Sequence, residues 1–135
     1  MSYFLDTNIC VFLLNGKFPR LTEKFLSCQA GDFCLPSMVV AELIYGARKS
    51  EKARQNMEKV QRFLRPLTVT PFDAQAAASY GELRTELEQK GRVIGPNDLV
   101  IAATTLSRNG VLVTNNIREF SRVPTLKIED WTLSR

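Results

Sequence analysis

Histidine is absent from the 135 residues of this chain. That omission excludes Ser-His-Asp and Cys-His nucleophilic catalysis, imidazole acid–base pairs and most transition-metal sites. Cysteine is scarce, at Cys10, Cys28 and Cys34, and no C-x-x-C spacing occurs. Neither a disulfide framework nor a zinc site is expected, and the thiols read as small buried hydrophobes. No apolar run approaches the ~20 residues of a membrane span. The opening Ser2-Tyr3-Phe4-Leu5-Asp6 lacks the basic region of a secretory leader, so a cytoplasmic protein without membrane association is expected. Gly/Ser linkers, low-complexity tracts and internal repeats are missing as well. Neither G-x-x-x-x-G-K-[ST] nor G-x-G-x-x-G is found, which argues against a phosphatase-like or nucleotide-binding α/β protein. Any catalysis must then run on carboxylates, Lys, Arg, Tyr or a hard cation, and carboxylate oxygens favour Mg²⁺ or Mn²⁺.

What the chain does contain is 44% apolar and 24% charged residues, a globular profile. Its length suits one domain over residues 1–135, with a core large enough to need no staple. The net charge of +4 is concentrated. Between Arg48 and Arg65 lie seven basic residues (Arg48, Lys49, Lys52, Arg54, Lys59, Arg62, Arg65) against two acidic ones, Glu51 and Glu58. Such a stripe suits a phosphate backbone, and equally a solvated helical face or a protein contact.

Short apolar strands alternate with amphipathic helices. Strands are predicted at Tyr3–Leu5, Phe33–Leu35, Leu67–Val69, Val111–Val113 and Leu126–Ile128. Helices are predicted at Ile9–Leu14, residues 20–29, Ser37 (as cap) to Ala47, residues 52–64, Asp73 (as cap) to Lys90, and Asn97–Ser107. Alternation of this kind implies a parallel sheet with helices on both faces, and sites gather beyond the carboxyl ends of its strands.

Four acids stand at informative places. Asp6 follows the first strand directly, where it is either a helix cap or a site residue. Glu42 lies in Met38-Val39-Val40-Ala41-Glu42-Leu43-Ile44-Tyr45, a helix apolar nearly all round and so expected to be buried. A buried carboxylate there needs a basic partner or a metal. Asp98 opens the Ala-rich helix, where opposing the helix dipole is the competing explanation. Glu119 follows Thr114-Asn115-Asn116-Ile117-Arg118, and pairing with Arg118 or Arg122 would also account for it. Asn116 is a turn residue, a neutral oxygen ligand or a positioner of water. Taken together, acids converging on one rim repel one another and call for a cation. A divalent metal there activates water and stabilises charge on a phosphodiester.

These residues resemble the motifs of PIN-domain nucleases. Leu5-Asp6-Thr7-Asn8 is similar to the first motif, Pro36-Ser37 with Ala41-Glu42-Leu43 to the second, and Asp98-Leu99-Val100-Ile101-Ala102-Ala103 to the third. Val113-Thr114-Asn115-Asn116 through Glu119-Phe120 resembles the fourth, and Glu129-Asp130-Trp131 a common ending. The match runs the length of the chain and looks most like the VapC toxins of bacterial VapBC modules. The resemblance implies a three-layer α/β/α fold with a central parallel sheet. It implies endoribonuclease activity that inhibits translation, with Mg²⁺ or Mn²⁺ held by Asp6, Glu42 and Asp98. Many family members carry Asp where Asn116 stands; Glu119, three residues on, is placed to substitute, and the fourth position falls to either Asn116 or Glu119. Asn8, Ser37, Thr114 and Asn116 fall in the motifs as residues that contact substrate or support the acids. The resemblance also implies a homodimer neutralised by a VapB antitoxin, whose tail fills the active-site groove and which lends DNA binding to the complex. The ending is most like enteric VapC proteins that cut initiator tRNA in the anticodon region. A catalytically silent PIN-fold binding module is the alternative, and loss of one of the three principal acids would mark it.

Overall fold

The computed structural model describes residues 2–133. Five short strands form one parallel sheet: β1 (Tyr3–Leu5), β2 (Phe33–Pro36), β3 (Thr68–Thr70), β4 (Val111–Val113) and β5 (Lys127–Glu129). Their order is β3-β2-β1-β4-β5, so the chain builds outward on one side of β1 and then on the other. The helices are α1 (Thr7–Asn15), α2 (Pro19–Ser27), α3 (Ser37–Lys49), α4 (Ala53–Leu64), α5 (Ala74–Gln89), α6 (Pro96–Ser107) and the single-turn α7 (Ile117–Phe120). The α/β architecture expected from the alternation is the one observed.

The central strand is sealed on both faces. Phe4, Leu5, Leu35, Leu112 and Val113 are at most 1% exposed, as strands covered by helices on both sides require. Tyr3 pairs with Phe33 on one side and Val111 on the other. At Gly110, entering β4, a Cβ would lie 2.3 Å from the Phe4 ring, so only glycine lets the two strands approach here. Trp131 packs edge-on against Tyr3 and Phe33 and ties the end of the chain to the core.

The outer strands lie one residue later than their apolar runs suggest. Thr68 pairs with Cys34 and Lys127 with Val111. Leu67 and Leu126 are buried just before these strands begin. The runs therefore mark burial correctly, while the ladder is set by the partner strand. Ser37 is the first residue of α3 and not its cap; its Oγ accepts the Phe72 amide at 3.2 Å instead. The expectation that α3 is buried all round also fails. Only Val39, Leu43 and Ala47 are buried, while Tyr45 is 65% exposed. Among the cysteines, all unpaired, Cys10 is buried and the other two half-buried.

Candidate active site

Asp6 follows β1, and Thr114 follows β4, the two strands between which the order of the sheet reverses. Ligands of open α/β sheets bind at that reversal, beyond the carboxyl ends of the strands. The Asp6 amide donates to the Val113 carbonyl at 3.2 Å and locks the two strand ends together. Because α3 leaves the end of β2 and α6 runs back toward the start of β4, their first turns reach the same rim. Glu42 and Asp98 are carried there by these helices.

The Asp6 carboxylate is 4% exposed. One oxygen caps α1 by accepting the Ile9 amide at 2.9 Å, and the other accepts the Thr114 hydroxyl at 2.5 Å. Capping and burial at a shared rim are thus properties of one side chain, and capping alone does not explain the residue. Burial raises its pKa to about 6 against the opposing pull of those two bonds, and the charges of Glu42 and Asp130 push it further up. Asp130 is a nearby acid to which the sequence offered no signal beyond the terminal motif.

Asp98 sits in the first turn of α6, but the helix dipole does not account for it. Burial, the adjoining Glu119 carboxyl and the charges of Asp6 and Glu42 raise its pKa to about 7. Glu119 moves the other way. Bonds from Asp98, the Gly95 amide (2.7 Å) and the Asn116 side-chain amide (2.7 Å) hold its pKa down. Of the two neighbouring acids, Asp98 is therefore the one that takes up a proton more readily. The expected pairing of Glu119 with Arg118 or Arg122 is not made: among the described residues it forms no ion pair within 4.0 Å.

Glu42 likewise has no basic partner. Thr7 Oγ1 donates to its Oε1 at 2.5 Å, and Asn97 Nδ2 to its Oε2 at 3.2 Å. These two residues adjoin Asp6 and Asp98 in the chain, so each principal acid has a neighbour that reaches across to the third. Sequence reasoning passed over both, since Thr in a D-T-N turn and Asn before an acid look like ordinary helix-start residues. Replacing Thr7 with Val and Asn97 with Ala frees Glu42 to rotate. RNA cleavage at limiting Mn²⁺ should fall about 10- to 100-fold for the pair, with recovery at high Mn²⁺, and Thr7→Ser should keep most of the activity. A metal titration of cleavage rate checks this, and an unshifted half-saturation point would refute it.

The remaining motif residues divide. Thr114 is fully buried; its Oγ1 donates to Asp6 and accepts the Asn116 amide at 2.9 Å. Asn116 orients Glu119. Ser37 bonds to the amide of Phe72 and makes no bond to the acids. Asn8 is exposed, and among the described residues its side chain makes no hydrogen bond.

Asp6, Glu42, Asp98 and Glu119 thus feel one another's charge with no basic side chain salt-bridged to any of them. Their oxygens engage Thr114, Thr7, Asn97 and Gly95, and among the described residues no three acids close into a ready metal cage. The donor chemistry nonetheless fits a hard divalent cation: carboxylates only, mutually repelling, and with proton affinity raised where a cation would relieve it.

The sequence model of the PIN domain matches residues 3–126. The chain belongs to the PIN-domain family. Within it, the chain is similar to Ribonuclease VapC2 of Rickettsia felis, at 49% identity over 133 residues covering 97% of this chain and 98% of that protein. It is also similar to the tRNA(fMet)-specific endonuclease VapC of Salmonella typhimurium, at 42% identity over 131 residues covering 97% and 98%. The DNA-bound VapBC structure from Salmonella typhimurium superposes with a TM-score of 0.92, at 42% identity, covering 97% of this chain and 98% of the matched one. VapBC2 from Rickettsia felis, bound to a DNA fragment of its promoter, superposes with a TM-score of 0.89 at 45% identity, covering 97% and 99%. This PIN domain is therefore a VapC-type endoribonuclease, and the three-layer fold implied by its motifs is present.

Proposed function

We propose that this PIN domain is the toxin of a type II toxin–antitoxin pair, acting in the cytoplasm as a Mg²⁺- or Mn²⁺-dependent endoribonuclease on tRNA and so inhibiting translation. The observation that carries the reading is the buried Asp6 close to Asp98, Glu119 and Glu42, at the switch point of the sheet and without a basic side chain salt-bridged to any of them. Asp6, Glu42 and Asp98 are the residues that would hold the cation, which when bound would lower the pKa of water and stabilise charge on the phosphodiester.

The chain's own groups divide the remaining work. Thr114 fixes the rotamer of Asp6, and Thr7 and Asn97 fix that of Glu42. The Asp98–Glu119 pair takes up the proton that leaves the attacking water, and the Gly95 amide and Asn116 hold Glu119 ionised for it. Attack by water, with the 3′-oxygen leaving, produces 5′-phosphate and 3′-hydroxyl ends. The 42% identical Salmonella relative, whose name specifies tRNA(fMet), supports initiator tRNA as the substrate, and we place the cut in its anticodon region.

The two structural relatives named above are VapBC complexes bound to DNA. We extend to this chain a VapB-type antitoxin partner, DNA contact through that partner alone, and a homodimer. A hollow of about 280 Å³ beside Glu42, walled by Val11, Leu14, Leu43 and Val60, suits an apolar segment of such a partner.

The test is incubation of the purified protein with initiator tRNA and Mn²⁺, followed by mapping of the ends. Cleavage in the anticodon loop, with 3′-hydroxyl ends and complete inhibition by EDTA, is the expected result. Cleavage that persists in excess EDTA, or leaves cyclic phosphates, would overturn the metal-dependent mechanism. An inert but folded protein would favour the silent binding module.

A further inference from the structure

On α3 the carboxylate of Glu42 is flanked on both sides. Gly46 and the hollow just described lie on one flank. On the other, three residues on and so nearly one turn along the helix, stands Tyr45. It is 65% exposed, more than any other aromatic among the described residues, although a tyrosine ring normally hides most of its surface. A second turn brings Lys49, whose Nζ lies 4.8 Å from the centre of the Tyr45 ring. Glu42, Tyr45 and Lys49 thus run along one exposed side of α3 as carboxylate, aromatic and ammonium, within about 10 Å of helix rise.

Lys49 is the second cation of the basic tract that runs from Arg48 to Arg65. Every one of its seven cations is exposed, and among the described residues none makes a salt bridge or a side-chain hydrogen bond. Among those residues, salt bridges to carboxylates are confined to Arg84, Lys90 and Arg108, none of them in this tract. Cations left without partners beside an uncovered ring match what unpaired RNA requires, a flat surface for a splayed base and positive charge for its phosphate. An apolar partner segment is met by the hollow on the other flank of Glu42, whereas on the Tyr45 flank the exposed neighbours Arg48 and Lys49 are charged.

Resting on the ribonuclease reading above, we propose that Tyr45 and Lys49 form a nucleotide platform. The ring stacks the base of a nucleotide flanking the scissile bond, and the ammonium takes its phosphate. The platform holds single-stranded RNA in register with the carboxylates and makes cleavage favour loops over duplex.

Binding is best measured in an Asp6→Asn background, by fluorescence anisotropy with a labelled single-stranded RNA and across a salt series. Tyr45→Ala should weaken binding about 5- to 100-fold, the range that stacking of one base covers, while Tyr45→Trp stays close to the parent. Lys49→Gln should lower the slope of log affinity against log salt by about 0.7. Arg84→Gln, on the paired α5 surface, should change neither. Circular dichroism confirms folding, which substitutions at these exposed positions should not disturb. Unchanged RNA affinity of Tyr45→Ala overturns the platform while leaving the ribonuclease reading intact. A change from dimer to monomer by light scattering, with RNA affinity preserved, overturns it in favour of a contact with a second copy. Absence of both RNA binding and Mn²⁺-dependent cleavage in the parent proteins overturns the platform and the ribonuclease reading together.

Discussion

Asp6→Asn protein should fold as the parent does and cleave RNA at least ~10³-fold more slowly, a loss of about 4 kcal/mol of transition-state stabilisation. The substitution keeps shape and helix capping, because asparagine caps as well as aspartate and can still accept the Ile9 amide. It removes the charge, and it replaces the oxygen that accepts the Thr114 hydroxyl by an amide nitrogen that cannot. Without the charge the site loses its most buried carboxylate and the strongest reason for a cation to settle at the strand ends. Stability should move the other way. A carboxyl held at about pKa 6 pays for its burial at neutral pH, by about 3 kcal/mol for a rise of some two units. The lost Thr114 bond offsets part of this gain, so metal-free Asp6→Asn protein should melt about 5 °C above the parent at pH 7.5. Thermal denaturation paired with a cleavage assay reads both effects. A folded mutant that cleaves at the parental rate would remove Asp6 from the site.

The metal-free protein should lose stability as pH rises from about 4 to about 8. Asp6 and Asp98 have folded pKa values raised to about 6 and about 7, above the ordinary carboxylate value of 3.8. Between those limits the folded chain binds more protons than the unfolded one, so the free energy of unfolding falls as pH increases. Below about pH 4 both states are protonated and these groups contribute nothing. Above about pH 8 the cost of burying their charge is fully present. Asp98 is only half buried, so solvent screens part of its share. Millimolar Mn²⁺ should reverse the trend, raising the melting temperature by about 5–10 °C at pH 7.5 and little at pH 5, because ligands must be deprotonated to bind. The acid pair is the source if Asp98→Asn flattens the metal-free profile. A parental profile that is flat without metal and indifferent to Mn²⁺ would show that the four acids do not form a cation site.

Much of this site is legible along the chain. The three-residue strand Tyr3–Leu5, its acid at position 6 and the alternation of strands with helices place Asp6 at a sheet rim with no coordinates at all. The absence of histidine narrows the chemistry to carboxylates. The order of motifs brings Glu42, Asp98 and Glu119 to the same rim. These features are local, since strand burial and helix starts depend on neighbours within a few residues.

Other features depend on which elements meet. That Asp98 pairs with Glu119 and not with the helix dipole, and that Glu42 is held by Thr7 and Asn97, follow from contacts between residues 21, 35 and 55 positions apart. Sequence patterning misjudged α3 as buried for the same reason. Apolar side chains alone do not say how many faces find a partner, and the fold leaves the side with Tyr45 uncovered. Likewise β3 and β5 take their register from β2 and β4 and not from their own apolar runs. The sequence by itself determined the fold class, the rim and the kind of atom at the site. Only the tertiary structure decided which oxygens are tied down, which acid takes up a proton more readily and which helix face stays open, because each depends on the distance and burial between segments remote in the chain.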